Sequence, residues 1–543
     1  MKIPLDRETT LYCTFLFFIY FISILFTEPV GNFPIGDDWQ YSYPVKTWIE
    51  HGVMEFKGIF APNVLLQVAW GFLFCKIAGG FDFTWLRVST LVAGMIGLFY
   101  FFKILKQLSL SNKVAYFIVF ILMFNPLFYY LSFTFFTDIP FSALFILSVF
   151  YFLKYLQIQK IKFLTWAVIF AVGSFYIRQP GLLLIPTFGI YIVLEKQFSK
   201  KSILIGTLFF FLAFAVYFSL EKWVKPALSI SDNFVPVGGQ FYTAIIKTPL
   251  FTALEWIKKG IKTFVYLGFF GLPFLPFVWK IWEAKKMFNK INISLVILIN
   301  AALLLSLVYV GKTFPFGGNI LFNCGLGSEL LADVYTQGLP NVPRMPNWVM
   351  LVIQFIGQLS ASFLFILIIN GYKKLQPLQK KVIVFLLLFN LIYLPVMSIT
   401  SFFDRYLLPT IISFFIILSF FVEINKNEKS AWKFLPLIFI CGFSLLATKD
   451  FMAWNRAKNK AFLYLTNKGV SIKEMDAGYE YNGFYNYHFP KEEKDGRSFW
   501  WVTDDKYMIT FGPVNGYREI AAFPFYRCLF FKRDNILVVQ RID

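Results

Sequence analysis

The chain has 543 residues, of which 58% are hydrophobic and only 15% charged, with 72 phenylalanines among them. Soluble domains carry about 25% charged residues, so the composition excludes a soluble globular protein and indicates a polytopic membrane protein. The net charge of +20 does not signal nucleic acid: the lysines fall in short clusters between apolar runs, the pattern of cytoplasmic loops.

The charged N-terminus, Met1 to Thr10, leads into an apolar run over Leu11–Thr27 with no small-residue cleavage site after it, which reads as a retained first helix rather than a signal peptide. Lys2 and Arg7 place the N-terminus in the cytoplasm, and the loop at 28–84 outside. Within that loop the run Ile59–Gly79 is broken by Pro62, Asn63, Gln67 and Lys76 and reads as an interfacial or re-entrant helix, leaving Trp85–Leu105 as the second span. Cytoplasmic clusters then alternate with outer turns. The clusters are Lys103/Lys106/Lys113, Lys154/Lys160/Lys162, Lys196/Lys200/Lys201, Lys280/Lys285/Lys286/Lys290, Lys373/Lys374/Lys380/Lys381 and Lys426/Lys429/Lys433. The outer turns carry Asp138, Arg178, a loop over Lys222–Lys262, a loop over Lys312–Trp348, and Asp404-Arg405. This alternation predicts about thirteen spans, with Thr243–Lys259 as an amphipathic helix lying on the membrane.

The last span is expected to end near Thr448, giving a transmembrane domain over 1–448. Residues 449–543 are rich in Tyr, Asn, Asp and Lys and predict a small outward-facing α+β domain. Its elements are a helix over Lys449–Lys468 and strands at Tyr507–Phe511, Glu519–Phe525 and Ile536–Gln540. The five cysteines, Cys13, Cys75, Cys324, Cys441 and Cys528, show no paired spacing, and the two histidines, His51 and His488, lie far apart. A disulfide framework, a His-based metal site and a Ser-His-Asp triad are therefore not expected.

Charges at a membrane boundary are costly and mark either a site or an exposed loop. Asp37-Asp38 sits among aromatics in Gly36-Asp37-Asp38-Trp39-Gln40-Tyr41. Asp138 before Ile139-Pro140 reads either as a helix cap or as a second site carboxylate. Arg178 reads either as a snorkelling arginine or as a phosphate grip, and Arg405 either as the partner of its neighbour Asp404 or as a second grip. Together these acids and arginines converge on one face. Carboxylates suit a divalent cation, with Asp37 and Asp138 as its candidate ligands, or a base; arginines suit phosphate.

In order along the chain, the acidic pair, the Pro-Asn helix start, Thr137-Asp138-Ile139-Pro140, Ile177-Arg178-Gln179-Pro180 and Arg405-Tyr406-Leu407-Leu408-Pro409 resemble the GT-C membrane glycosyltransferases. The likeness is greatest to bacterial relatives of protein O-mannosyltransferases and lipid A aminoarabinose transferases, the family 39-like proteins. The resemblance implies an α-helical polytopic membrane protein of the bacterial cytoplasmic membrane, its active site facing outside. It also implies transfer of a sugar from a polyprenyl-phosphate donor to a lipid, glycan or protein acceptor. It puts the catalytic acid at Asp37, with Asp38 adjacent. The family's usual Asp-Glu pair is Asp-Asp here, which leaves open which of the two acts. Two other readings compete. A transporter or lipid flippase would place charges in mid-span and repeat its halves, and neither is seen. An O-antigen ligase or polymerase would carry its informative outer loop late in the chain.

Overall fold

The computed structural model describes residues 7–56, 63–230, 242–278, 290–309, 311, 313–317, 319–335, 337–338, 341–399, 402–424, 430–487 and 501–542. Lys2, Pro62, Lys280, Lys285, Lys286, Lys312, Lys426, Lys429, His488 and part of the Lys222–Lys262 loop lie outside them.

The chain folds as a bundle of apolar helices with a small sheet near its C-terminus. Among the described residues, eight helices are long and apolar enough to cross a bilayer, or nine if one bent pair counts as a single span. The expected thirteen is not reached on that measure. Ile161–Phe175, Gln179–Glu195 and Ile293–Tyr309 are apolar but have at most 17 residues, which rise about 26 Å against a hydrocarbon core of about 30 Å.

Helix α1 (Arg7–Thr27) is followed by α2 (Asp38–His51), α3 (Leu65–Ile77) and the span α4 (Phe83–Gln107). At 13 residues α3 is too short to cross, as its interrupting polar residues foretold. Helices α5 (Asn112–Met123) and α6 (Pro126–Ser132) form the bent pair, turned by 65° at Asn125-Pro126. Pro126 has no amide to continue the ladder. Asn125 Oδ1 instead caps the new helix, accepting from Leu127 N at 3.1 Å and Phe128 N at 3.4 Å. The break carries the chain to α7 (Asp138–Ile158) through a segment buried at nearly every residue. Helices α8 (Ile161–Phe175), α9 (Leu184–Glu195) and α10 (Lys200–Ser219) complete the first half.

The amphipathic surface helix expected over Thr243–Lys259 has different bounds: a π-helical turn over Thr243–Lys247 is followed by a separate helix that runs on past Lys259. That helix, α11 (Pro249–Gly271), continues through a 3-10 turn to Phe277 as one candidate span. The lysines occupy only its first half, and the following residues, Thr263 and Val265–Gly271, are buried. Helices α12 (Lys290–Tyr309), α13 (Asn347–Gly371), α14 (Pro377–Met397), α15 (Leu408–Ser419) and α16 (Leu435–Asn467) follow. Helix α16, 33 residues long, passes without a break through Thr448, where the composition changes. It rises about 50 Å, well beyond a bilayer core. Before α13 the chain forms a small antiparallel hairpin of β1 (Leu321–Phe322) and β2 (Gly325–Leu326). The sheet that follows α16 has the order β3 (Met475–Asp476), β4 (Tyr507–Thr510), β6 (Lys532–Arg541), β5 (Tyr517–Arg527), parallel only between β3 and β4. The three expected strands are present; β3 and the short helix α17 (Tyr479–Asn486) were not foreseen.

One side chain shapes the first loop. Arg87, fully buried on α4, donates through Nη1 to the carbonyls of Pro29 at 3.0 Å and Gly31 at 2.7 Å, and through Nη2 to Phe33 O. Its guanidinium also stacks 4.4 Å from the Phe33 ring centroid. Three carbonyls of an irregular segment that water would otherwise satisfy are thus bound inside the protein. Arg87→Met keeps the volume and removes the donors. Each carbonyl left unpaired costs about 1–3 kcal/mol, so the purified variant should unfold at a clearly lower temperature than the parent.

Candidate active site

The helix directions bring the predicted charges to one end of the bundle. Asp37 precedes α2, Asp138 opens α7, Arg178 follows α8, and Arg405 lies in the 3-10 turn Asp404–Leu407 that leads into α15. The clusters around Lys154 and Lys162 occupy the opposite ends of α7 and α8.

The two aspartates of the first loop part company. Adjacent helical residues point about 100° apart, so they do not share a face. Asp37 stands at the cap position of α2 but makes no side-chain cap, and its carboxylate turns instead to Arg405 and Tyr479. Oδ2 accepts from Arg405 Nη2 at 2.8 Å and Oδ1 from the Tyr479 hydroxyl at 3.2 Å. Its side chain keeps 25% exposure. Asp38 is fully buried, with Oδ1 accepting from Ile35 N at 2.6 Å. Burial pushes its carboxyl well above the ordinary range, against the pull of Arg87 and the Ile35 amide. Asp38 is thus bound into the base of the loop, and Asp37 is the partly exposed acid that meets Arg405.

Asp138, Arg178 and Arg405 each take a definite partner. Asp138 is not a helix cap: Thr137 holds that position, and the Asp138 carboxylate is ion-paired with Arg178. Arg178 does not snorkel, being largely buried against that partner with its guanidinium 4.6 Å from the Tyr406 ring centroid. Arg405 does not pair through its side chain with its neighbour. The Asp404 carboxylate turns back to accept from the amides of Leu321 at 2.7 Å, Ile320 at 3.1 Å and Arg405 itself at 2.8 Å. Burial pushes it up to about 6 despite those amides. Its work is to hold the Arg405 turn to the loop at Ile320-Leu321. Arg405 is left to Asp37, with Phe136, Phe403 and Tyr406 rings 5.0–5.6 Å from its guanidinium. Its Nε and Nη1 are buried and without a hydrogen-bond partner among the described residues. An unsatisfied charged donor of this kind is costly unless a ligand completes it.

Asp37, Asp138, Arg178 and Arg405 lie close enough for all four to act electrostatically on the hydroxyl of the half-buried Tyr41. Residues that reading the sequence missed are Arg87, Tyr41, Gln40, Tyr479 and Tyr406. Only Arg87, a charge inside an apolar span, carried a signal. As a cation site the cluster is poor. Asp37 and Asp138 are each neutralised by an arginine, and no group of three His, Cys, Asp or Glu converges among the described residues.

Over part of the chain, comparison with known families agrees with the resemblance carried by the motifs. Residues 68–219 match the model of the dolichyl-phosphate-mannose-protein mannosyltransferases, a stretch that contains Asp138 and Arg178 but neither Asp37 nor Arg405. Among solved structures the chain is similar to ArnT from Cupriavidus metallidurans in its apo state, at 12% identity over 98% of this chain and 97% of that one, with a TM-score of 0.36. No curated protein matches the chain.

The two loop aspartates should fail differently. Asp38→Ala orphans the Ile35 amide and removes a counter-charge near Arg87, and should lower membrane yield and unfolding temperature more than Asp37→Ala does. The reverse order would contradict the division described above.

Proposed function

We propose that the protein is an integral-membrane glycosyltransferase that moves a hexosyl or pentosyl group from a polyprenyl-phosphate donor to an acceptor hydroxyl. The lysine clusters at the opposite helix ends support a site facing away from the cytoplasm. The observation that carries the proposal is the Asp37–Arg405 pair. A partly exposed carboxylate is held beside a buried guanidinium that retains two free donors.

The chemistry follows from that pairing. The donor phosphate takes the Nε and Nη1 of Arg405, with Arg178, which packs on the same Tyr406 ring, adding charge nearby. The acceptor oxygen attacks the anomeric carbon as the bond from that carbon to the phosphate oxygen breaks. The electron pair leaves with polyprenyl phosphate, where the guanidinium stabilises it. Asp37 takes the acceptor proton as the carbon gains oxocarbenium character, and a single displacement inverts the centre. With a phosphate acceptor, Asp37 positions rather than deprotonates. No step passes through a metal, since arginine supplies the positive charge, and turnover is expected to survive EDTA.

The purified protein, given a polyprenyl-phosphate sugar and an acceptor extract, should release free polyprenyl phosphate, and a nucleotide sugar alone should give no product. Movement of the intact lipid between leaflets, with the sugar–phosphate bond unbroken, would establish a transporter instead.

Asp37→Asn should lower turnover by about 10²–10⁴ with insertion intact. Arg405→Lys keeps the charge and loses the fork, so donor affinity should fall roughly tenfold to a hundredfold. A normal donor titration in that variant would remove Arg405 from the phosphate site.

A further inference from the structure

Tyr479 comes from the C-terminal region, 442 residues from the acid it touches. Its hydroxyl accepts from Gln40 Nε2 at 2.8 Å and donates to Asp37 Oδ1 at 3.2 Å. An amide nitrogen can only donate, so Gln40 occupies a lone pair of the phenol oxygen and leaves the O–H for Asp37. Arg405 holds the other carboxylate oxygen. Between them the two donors fix the rotation of the carboxylate plane. Burial, and after it the Asp37 charge, raises the phenol above its ordinary value, which keeps Tyr479 a donor.

The placement of Tyr479 is fixed from several sides. Gly478 before it has φ +86°, and a Cβ there would lie 2.8 Å from the Leu330 carbonyl oxygen. The Tyr479 amide donates to that same oxygen at 3.1 Å, and the Gly478 amide to Asp476 Oδ1 at 3.0 Å. Glu480 after it is ion-paired with Lys458 of α16, both fully buried. Four residues on, Gly483 lets the backbone of α17 approach Trp39, whose ring would lie 2.4 Å from a Cβ. A buried ion pair adds little net stability, and a glycine in a helix interior costs some. Both features instead set where α17 sits against α2, and with it where the Tyr479 hydroxyl meets Asp37.

We infer that Tyr479 is a positioning residue of the active site, holding the Asp37 carboxylate in line with the acceptor, so that the C-terminal region completes the site. The kinetic part of this inference rests on the transferase reading; the contact itself does not.

Tyr479→Phe fills the same space and lacks only the hydroxyl, so a residue that merely packs would tolerate it. The expected result is a kcat reduced roughly tenfold, the scale of one hydrogen bond to a charged group, with donor KM within about twofold. In an Asp37→Ala background the same change should cost nothing further, because its effect passes through Asp37. Wild-type kcat in Tyr479→Phe, or an equal loss in both backgrounds, overturns the inference. A second cycle needs no turnover. Unfolding temperatures of the parent, Tyr479→Phe, Asp37→Ala and the double variant should show coupling between the two positions, and strictly additive effects overturn the contact. A parent that couples the two residues in unfolding yet transfers no sugar would sink the transferase reading alone.

Discussion

Four charged groups are held at one end of an apolar helix bundle, and each is tolerable there because an opposite charge stands beside it. The Asp37–Arg405 and Asp138–Arg178 pairs are the constraint on which the remaining arrangement rests. An isolated carboxylate or guanidinium so placed would cost several kcal/mol. The surrounding structure keeps those partners in register. Asp404 ties the Arg405 turn to the loop at Ile320-Leu321, the Tyr406 ring packs against both guanidiniums, and Arg87 folds the segment that leads into Asp37.

The pairing is incomplete on one side. Arg178 is taken up by Asp138, whereas Arg405 spends one nitrogen on Asp37 and leaves two unengaged. A site whose charges were all mutually satisfied would have to break contacts to admit a phosphate. Here the phosphate adds bonds without displacing the one that orients the acid, which is the condition for a site organised before its substrate arrives.

How much of this could be read from sequence divides along physical lines. Asp37, Asp138, Arg178 and Arg405 stood out because a charge in a short turn between apolar runs has few structural uses. Their partners did not. The chain neighbour Asp404 was the natural partner for Arg405, but a carboxylate one residue away finds backbone amides more easily than the next side chain, and Arg405 pairs across 368 residues instead. The equivalence of Asp37 and Asp38 dissolves at the 100° turn between adjacent helical residues, a property of any helix. Tyr479 left no trace, being one of 28 tyrosines in a chain with 72 phenylalanines. Strands β4, β5 and β6 were legible from alternation, while β3, two residues long, is too short to carry a period. The interruption at Asn125-Pro126 turns what hydropathy reads as one crossing into two helices, and hydropathy averages over such bends.

The distance along the chain between Asp37 and its two hydrogen-bond donors also sets a clock. Arg405 is made 368 residues after Asp37, and Tyr479 442 residues after it. At about 5–20 residues per second, the ribosome takes roughly 20–90 s to supply the last of them. Until Arg405 is made the first loop carries its acid without its ion-pair partner, and until Tyr479 is made the carboxylate lacks its second donor. A chain cut short before α17 therefore keeps the acid and its arginine but lacks the hydroxyl that fixes the rotation of the carboxylate.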